Sequence, residues 1–248
     1  MKNFWGYAHN ERFGVGCTGQ SVYIYDAEGR ELKRFSGLRY AYTPLLCPGK
    51  PLLAVKSAEP WLLFYDLERL EAVKKLRLRK PNQQTQDDGC CFSPDGERFF
   101  NLEAQNDMTG QLVIYDTRGF AEQARLFEGA RLVPQHIEPA ESGDAYFLLG
   151  YERPAALEGD GWENAYFVAR LDAKGGLERR PLDAEQYQML EARKSWERAG
   201  FTAKKAEWTF PYLGGEIPEA VPLSLIHISP WSAIRRSSPT RPMPFRSW

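Results

Sequence analysis

The sequence predicts an all-β fold of repeated four-stranded antiparallel sheets stacked face to face, with one short helical insertion. Three observations carry this reading. Apolar runs closed by Tyr-Asp recur at Ser21–Asp26, Trp61–Asp66 and Gln111–Asp116, with a looser copy at Ala165–Asp172. Glycine turns at Gly49, Gly96 and Gly143 stand 47 residues apart each time. Finally, the chain of 248 residues is 13% aromatic and holds 21 glycines and 17 prolines, which suits many short strands joined by tight turns.

Each unit reads as a meander. The clearest runs from Cys90-Cys91-Phe92 through the turn Ser93-Pro94-Asp95-Gly96 to a strand at Arg98–Ala104. A third strand follows at Gln111–Asp116, and a short polar fourth at Ala124–Phe127, like Glu31–Phe35 and Ala72–Leu78 before it. Proline fixes φ in the first turn and glycine takes the positive φ that reverses the chain. In the first unit Asn10 precedes Phe13-Gly14-Val15-Gly16 at the equivalent place, and Gly14 to Gly19 reads as a hairpin because no helix follows it. The closing Asp26, Asp66 and Asp116 suit Asx-type turns, since a carboxylate there accepts backbone N–H bonds. Their repetition argues a structural task, because a turn is rebuilt in every unit while an active site is usually unique.

One such meander cannot hide both of its apolar faces. Stacking sheets face against face around an axis solves this and leaves only short edges. The unit Phe92-Ser93-Pro94-Asp95-Gly96-Glu97-Arg98-Phe99, with its strand end Val113-Ile114-Tyr115-Asp116, resembles the blade consensus of WD40-like, YVTN-like and quinoprotein-like β-propellers. The resemblance covers residues 10 to 182 and implies an incomplete β-propeller with about four blades in residues 1 to 182. The closing pair is Tyr-Asp where the strict WD form has Trp-Asp, and no Gly-His pair opens a blade.

After Leu182 the repeat stops. Residues 183–200 read as a helical insertion: Asp183 suits the N-cap, Gln186 can return its bond, and Met189, Ala192, Trp196 and Ala199 form one apolar stripe. Residues 201–221 read as the start of a further blade, with Trp208-Thr209-Phe210 alternating as a strand does. From Pro222 to Trp248 the chain lacks acidic residues and is rich in serine, proline and arginine. Leu223-Ser224-Leu225-Ile226-His227-Ile228-Ser229 resembles sequencing-adapter read-through, so residues 222–248 are expected to be a non-native tail and are kept out of functional reasoning.

Charge is balanced, with 32 basic and 33 acidic residues and a formal net of −1, so no general field draws the chain to nucleic acid or a membrane. No apolar run reaches the roughly 20 residues of a membrane span, and a cytoplasmic location is expected. The basic run Lys74–Lys80 reads as a solvated outer strand edge. The four cysteines lack CxxC spacing and read as free, buried thiols. HxxxH, GxSxG, P-loop and dinucleotide fingerprints are absent, so no catalytic residue is nominated and no cofactor is implied.

The expectation is a non-catalytic scaffold that binds a protein or small-molecule partner through blade-end loops. The long insertion from Glu152 to Asn164 offers Glu158, Asp160 and Glu163 around Trp162, and His136 sits on an inner strand. The alternative, implied by the resemblance, is a lactonase-like or other hydrolytic propeller whose metal site draws on several blades. Glu103, Asn106 and Asp107 are the nearest candidate ligands for it.

Overall fold

The computed structural model describes residues 4–57, 60–78, 89–104, 109–140, 143–152, 164–172, 174–188 and 190. Fifteen strands follow one another through these residues, all in antiparallel neighbour-to-neighbour pairing. The first group comprises β1 (Gly6–His9), β2 (Phe13–Cys17), β3 (Gly19–Asp26) and the first half of β4 (Glu31–Leu46). The second comprises the rest of β4 with β5 (Leu52–Ser57), β6 (Trp61–Asp66) and β7 (Glu71–Arg77). β8 (Cys90–Phe92), β9 (Arg98–Ala104), β10 (Gly110–Asp116) and β11 (Glu122–Leu126) form the third sheet. β12 (Leu132–Pro139), β13 (Ala145–Glu152), β14 (Ala165–Asp172) and β15 (Leu177–Leu182) form the fourth.

Strand period two divides each sheet's side chains between two neighbours. In the second sheet, Leu53, Val55, Leu63 and Tyr65 face the first sheet and meet Phe13, Val15, Val22 and Ile24. The alternate residues Ala54, Leu62 and Phe64 face the third sheet and meet Phe92, Phe99 and Val113. Phe100, Leu102 and Leu112 carry the pattern onward to Ile137, Tyr146 and Leu148 of the fourth. Phe64 and Phe99 are fully buried with ring centroids 5.3 Å apart, edge to face. Each ring removed from water contributes about 2–3 kcal/mol. Double-faced burial is therefore what forces the sheets into a stack.

The sequence reading treats the sheets as separate, whereas the first two share one hydrogen-bonded ladder. β4 pairs with β3 through Phe35↔Val22 and Lys33↔Ile24, then with β5 through Pro44↔Val55 and Leu46↔Leu53. Between these stretches Gly37 and Tyr40 take φ of 80° and 53°, bending the strand without breaking it. A single strand is thus the last of one sheet and the first of the next.

The helix begins after Asp183, whose Oδ1 accepts the Gln186 N–H at 2.8 Å while Gln186 Oε1 accepts the Asp183 N–H at 3.1 Å. This reciprocal pair is a capping box. Tyr187 and Leu190 lay the helix on the outer face of the fourth sheet, with Tyr187 stacked on Tyr166 at 4.2 Å. Of the expected stripe, Met189 lies outside the described residues. Ala192, Trp196 and Ala199 lie outside the described residues, as do residues 201–248.

Candidate functional site

Antiparallel pairing gives the stack two rims. One carries the turns from first to second strand and from third to fourth. The other carries the hairpins between second and third strands, and the crossovers between sheets.

The first rim is built by repetition. Gly49, Gly96 and Gly143 take φ of 66°, 68° and 73° in the first-to-second turns. In the first sheet Asn10 Oδ1 accepts the N–H groups of Arg12 and Phe13 at 2.9 and 2.8 Å instead. At the third-to-fourth turns, Asp26 accepts from Glu28 and Arg30, Asp66 from Glu68 and Arg69, Asp116 from Arg118, Gly119 and Ala121, and Asp172 from Lys174 and Gly176. The Gly119 amide, with those of Ala121 and Arg118, holds the Asp116 carboxyl below the ordinary carboxylate range. The Gly176 and Lys174 amides do the same for Asp172. Each of these turns also needs one left-handed residue. Gly29 and Gly175 supply it in the outer sheets, but Leu70 and Phe120, at φ of 54° and 58°, supply it in the inner ones. Packing offsets that cost: Phe120 lies 4.5 Å from Phe64, and Leu70 joins the core between the first two sheets.

Polar contacts tie the second sheet to the third. The Gly96 carbonyl accepts from Lys50 Nζ at 2.9 Å and Thr117 Oγ1 at 2.6 Å, and the Cys47 thiol lies 3.6 Å away. Lys50 also pairs with Glu97 at 2.9 Å, and with Arg118 it holds that carboxyl below its usual range. Deeper in, Lys56 is 1% exposed and donates to the Leu102 carbonyl at 2.6 Å.

Glu103, also 1% exposed, is surrounded by donors. Gln111 Nε2 donates at 2.7 Å, Asn101 Nδ2 at 3.2 Å and Tyr115 Oη at 3.4 Å, and Arg125 lies 3.5 Å away while it also forks onto Glu122. Its oxygens serve this network, whose cation is a protein side chain. Asn106 and Asp107 lie outside the described residues, as do Glu158, Asp160, Trp162 and Glu163. His136 stands on β12, with Nε2 3.5 Å from Glu138 Oε2, both half-buried. Among the described residues no three His, Cys, Asp or Glu side chains come together as a metal-holding group. All four cysteines are free and buried, and burial pushes the Cys17 thiol up to about 12, so it is protonated at neutral pH.

The second rim is irregular and aromatic. A pocket of about 330 Å³ opens between the β2–β3 hairpin and the β4 bend, lined by Thr18, Gly19, Gln20, Arg39, Tyr40 and Tyr42. Tyr40 is 54% exposed and Trp5, beside Tyr42 at 5.9 Å, is 73% exposed. Close backbone approach builds the site. A Cβ on Gly6 would stand 1.7 Å from the Tyr42 carbonyl oxygen, so only glycine lets β1 lie against this crossover. Sequence reasoning missed these residues. The available signal was the alternation of Tyr40 and Tyr42 around the point where one unit hands over to the next.

The sequence matches no family model and no curated protein. Solved structures match by shape. Hydrazine synthase of Kuenenia stuttgartiensis superposes with a TM-score of 0.55 at 14% identity, over 69% of this chain and 51% of that one. This chain thus spans about half the length of that match, and the likeness is one of fold alone. The β-propeller domain of Myceliophteria thermophila Cps50 (Swd1) superposes with a TM-score of 0.48 at 13% identity, over 74% of each chain. The fold is a β-propeller. In its terms the four sheets are blades, and the aromatic pocket opens where the first blade hands over to the second. Among the described residues the stack of blades is open, and no described helix is long and apolar enough to cross a membrane.

Proposed function

We propose that this chain is a non-catalytic propeller module that binds a protein partner through its aromatic rim. The observation that carries the reading is the meeting of Arg39, Tyr40 and Tyr42 at one 330 Å³ pocket, with Trp5 beside Tyr42 at 5.9 Å and both Trp5 and Tyr40 turned to solvent. Trp, Tyr and Arg are the side chains that dominate interface energetics, because each buries a large rigid area and keeps a polar end. A monomeric surface scatters such residues singly. Here they converge on a pocket whose walls are fixed by Gly19 and by the left-handed Tyr40.

The test is capture of partners on the tagged full chain, their identification by mass spectrometry, and measurement of Kd with the identified partner. Substituting Trp5→Ser together with Tyr40→Gly is expected to weaken that binding at least ~10-fold, the scale of losing one interface anchor, while the circular dichroism spectrum stays unchanged. Retention of the same partner at the same affinity by the double variant would sink the reading. So would one equivalent of tightly bound divalent metal accompanied by hydrolytic turnover, which favours the enzyme class instead.

A further inference from the structure

At the opposite rim, a groove of about 200 Å³ lies between the third and fourth blades. Its floor and walls are apolar: Phe100, Ile114, Leu126 and Leu171. Set into this apolar lining are Arg98, Tyr146 and Lys174, with Gln123 and the Asp172 carboxylate also at its wall.

Arg98 is half-buried, and its guanidinium lies 5.5 Å from the centroid of the Phe100 ring. Among the described residues it has no carboxylate within ion-pair distance and no side-chain hydrogen bond, unlike Arg12, Arg30, Arg118 and Arg125, which all do. The nearby carboxylates are otherwise engaged. Asp95 accepts from Ser93 Oγ and the Glu97 amide, and Asp172 from the amides of Lys174 and Gly176. Tyr146 is 3% exposed, and its hydroxyl is buried with no hydrogen-bond partner. A buried donor left without a partner is destabilising, and here a half-buried cation and a buried hydroxyl both stand unsatisfied at one groove.

We propose that this inter-blade groove binds a small monocarboxylate with a short apolar body, its carboxylate on Arg98 and Tyr146 and its body on Phe100, Ile114 and Leu171. A guanidinium placed over an aromatic ring leaves its N–H fork available, and that fork takes a carboxylate through two parallel bonds. Apolar walls favour a weakly hydrated monoanion over a strongly hydrated dianion, because the walls return nothing for lost hydration. Lys174, exposed at the groove, adds field without closing it. The space suits one small organic acid and is below the size of a typical cofactor pocket.

The experiment is a titration of the full chain with benzoate, isovalerate and inorganic phosphate, followed by calorimetry and by ring-proton shifts. Saturable benzoate or isovalerate binding is expected, at least ~10-fold tighter than phosphate and weakened at least ~10-fold in Arg98→Gln, the scale of one charge-assisted pair. Tyr146→Phe is nearly isosteric and guards against a variant that simply unfolds. It is expected to weaken binding roughly 3- to 10-fold, the range of one hydrogen bond, while leaving the melting temperature equal or higher because an unpaired hydroxyl is gone. Absence of saturation up to about 20 mM would overturn the proposal, that being weaker than any useful site. Equal affinity in both variants, or phosphate binding as tightly as benzoate, would overturn it too.

Discussion

The two rims of the stack are made of the same strands yet obey different rules. On the turn rim, four aspartates accept two or three backbone amides each, and three glycines repeat one left-handed turn. On the other rim, Gly19, Gly37 and Tyr40 bend the chain at the first handover, Phe127 and Gly129 take left-handed φ at the third, and exposed aromatics gather at the first. The lesson is that a feature rebuilt in every blade answers to folding, whereas a feature present once is free to answer to a partner.

The largest effect expected from breaking this contrast is at Gly96. An added Cβ would meet the Pro48 carbonyl oxygen at 2.7 Å and Cys47 Sγ at 2.8 Å, at a φ of 68°. Strain and overpacking together predict that Gly96→Ala loses about 3 kcal/mol, read as a melting temperature lowered by roughly 6–12 °C. A change under about 2 °C would mean that the second and third blades do not depend on this contact.

Phe120 separates strain from packing at one residue. Phe120→Ala keeps the left-handed backbone and loses the contact with Phe64, so a loss of about 2–3 kcal/mol is expected. Phe120→Gly loses the same contact but relaxes the backbone, and should be about 1 kcal/mol less destabilising than Phe120→Ala. Denaturant melts of the two variants check the order, and the reverse order would show that the turn is not strained.

The aspartate turns give the turn rim its pH dependence. The folded pKa values of Asp116 and Asp172 are lowered by backbone amides, so their contribution is present above the unfolded value of about 4 and is lost as pH falls through the folded values. Asp116→Asn keeps an acceptor but removes the titration, and should flatten the decline in stability below about pH 4. An unchanged acid profile would contradict this.

The smallest expected effect on stability falls on the aromatic rim. Tyr40→Gly relieves a left-handed tyrosine, so the melting temperature should hold or rise by the equivalent of about 1 kcal/mol. Any loss would then be confined to partner binding. A destabilised Tyr40→Gly would place this residue with the folding machinery and erase the distinction between the rims.

What the sequence made legible follows the same division. The runs Trp61–Asp66 and Ala165–Asp172 could be read as strands because period-two burial and turn chemistry are local properties. The continuous β4 was not legible, since a bend at Gly37 and Tyr40 looks like a loop between units. Nor was the environment of Glu103 legible, because Gln111, Tyr115 and Arg125 reach it from strands eight or more residues away. The rim pocket joins Thr18 to Tyr42, a pairing set by the β3–β4 register that places Gly19 opposite Ala41 across the bend.

The shared strand β4 has a mechanical consequence. Because one covalent backbone serves both of the first two blades, their mutual tilt is fixed by two dihedral turns rather than by side-chain packing alone. A single inserted residue between Gly37 and Tyr40 would rotate everything beyond it by half a pleat, sending Leu45 and Leu46 to exchanged sides. The hinge therefore tolerates a change of side chain at its unstrained positions better than a change of length.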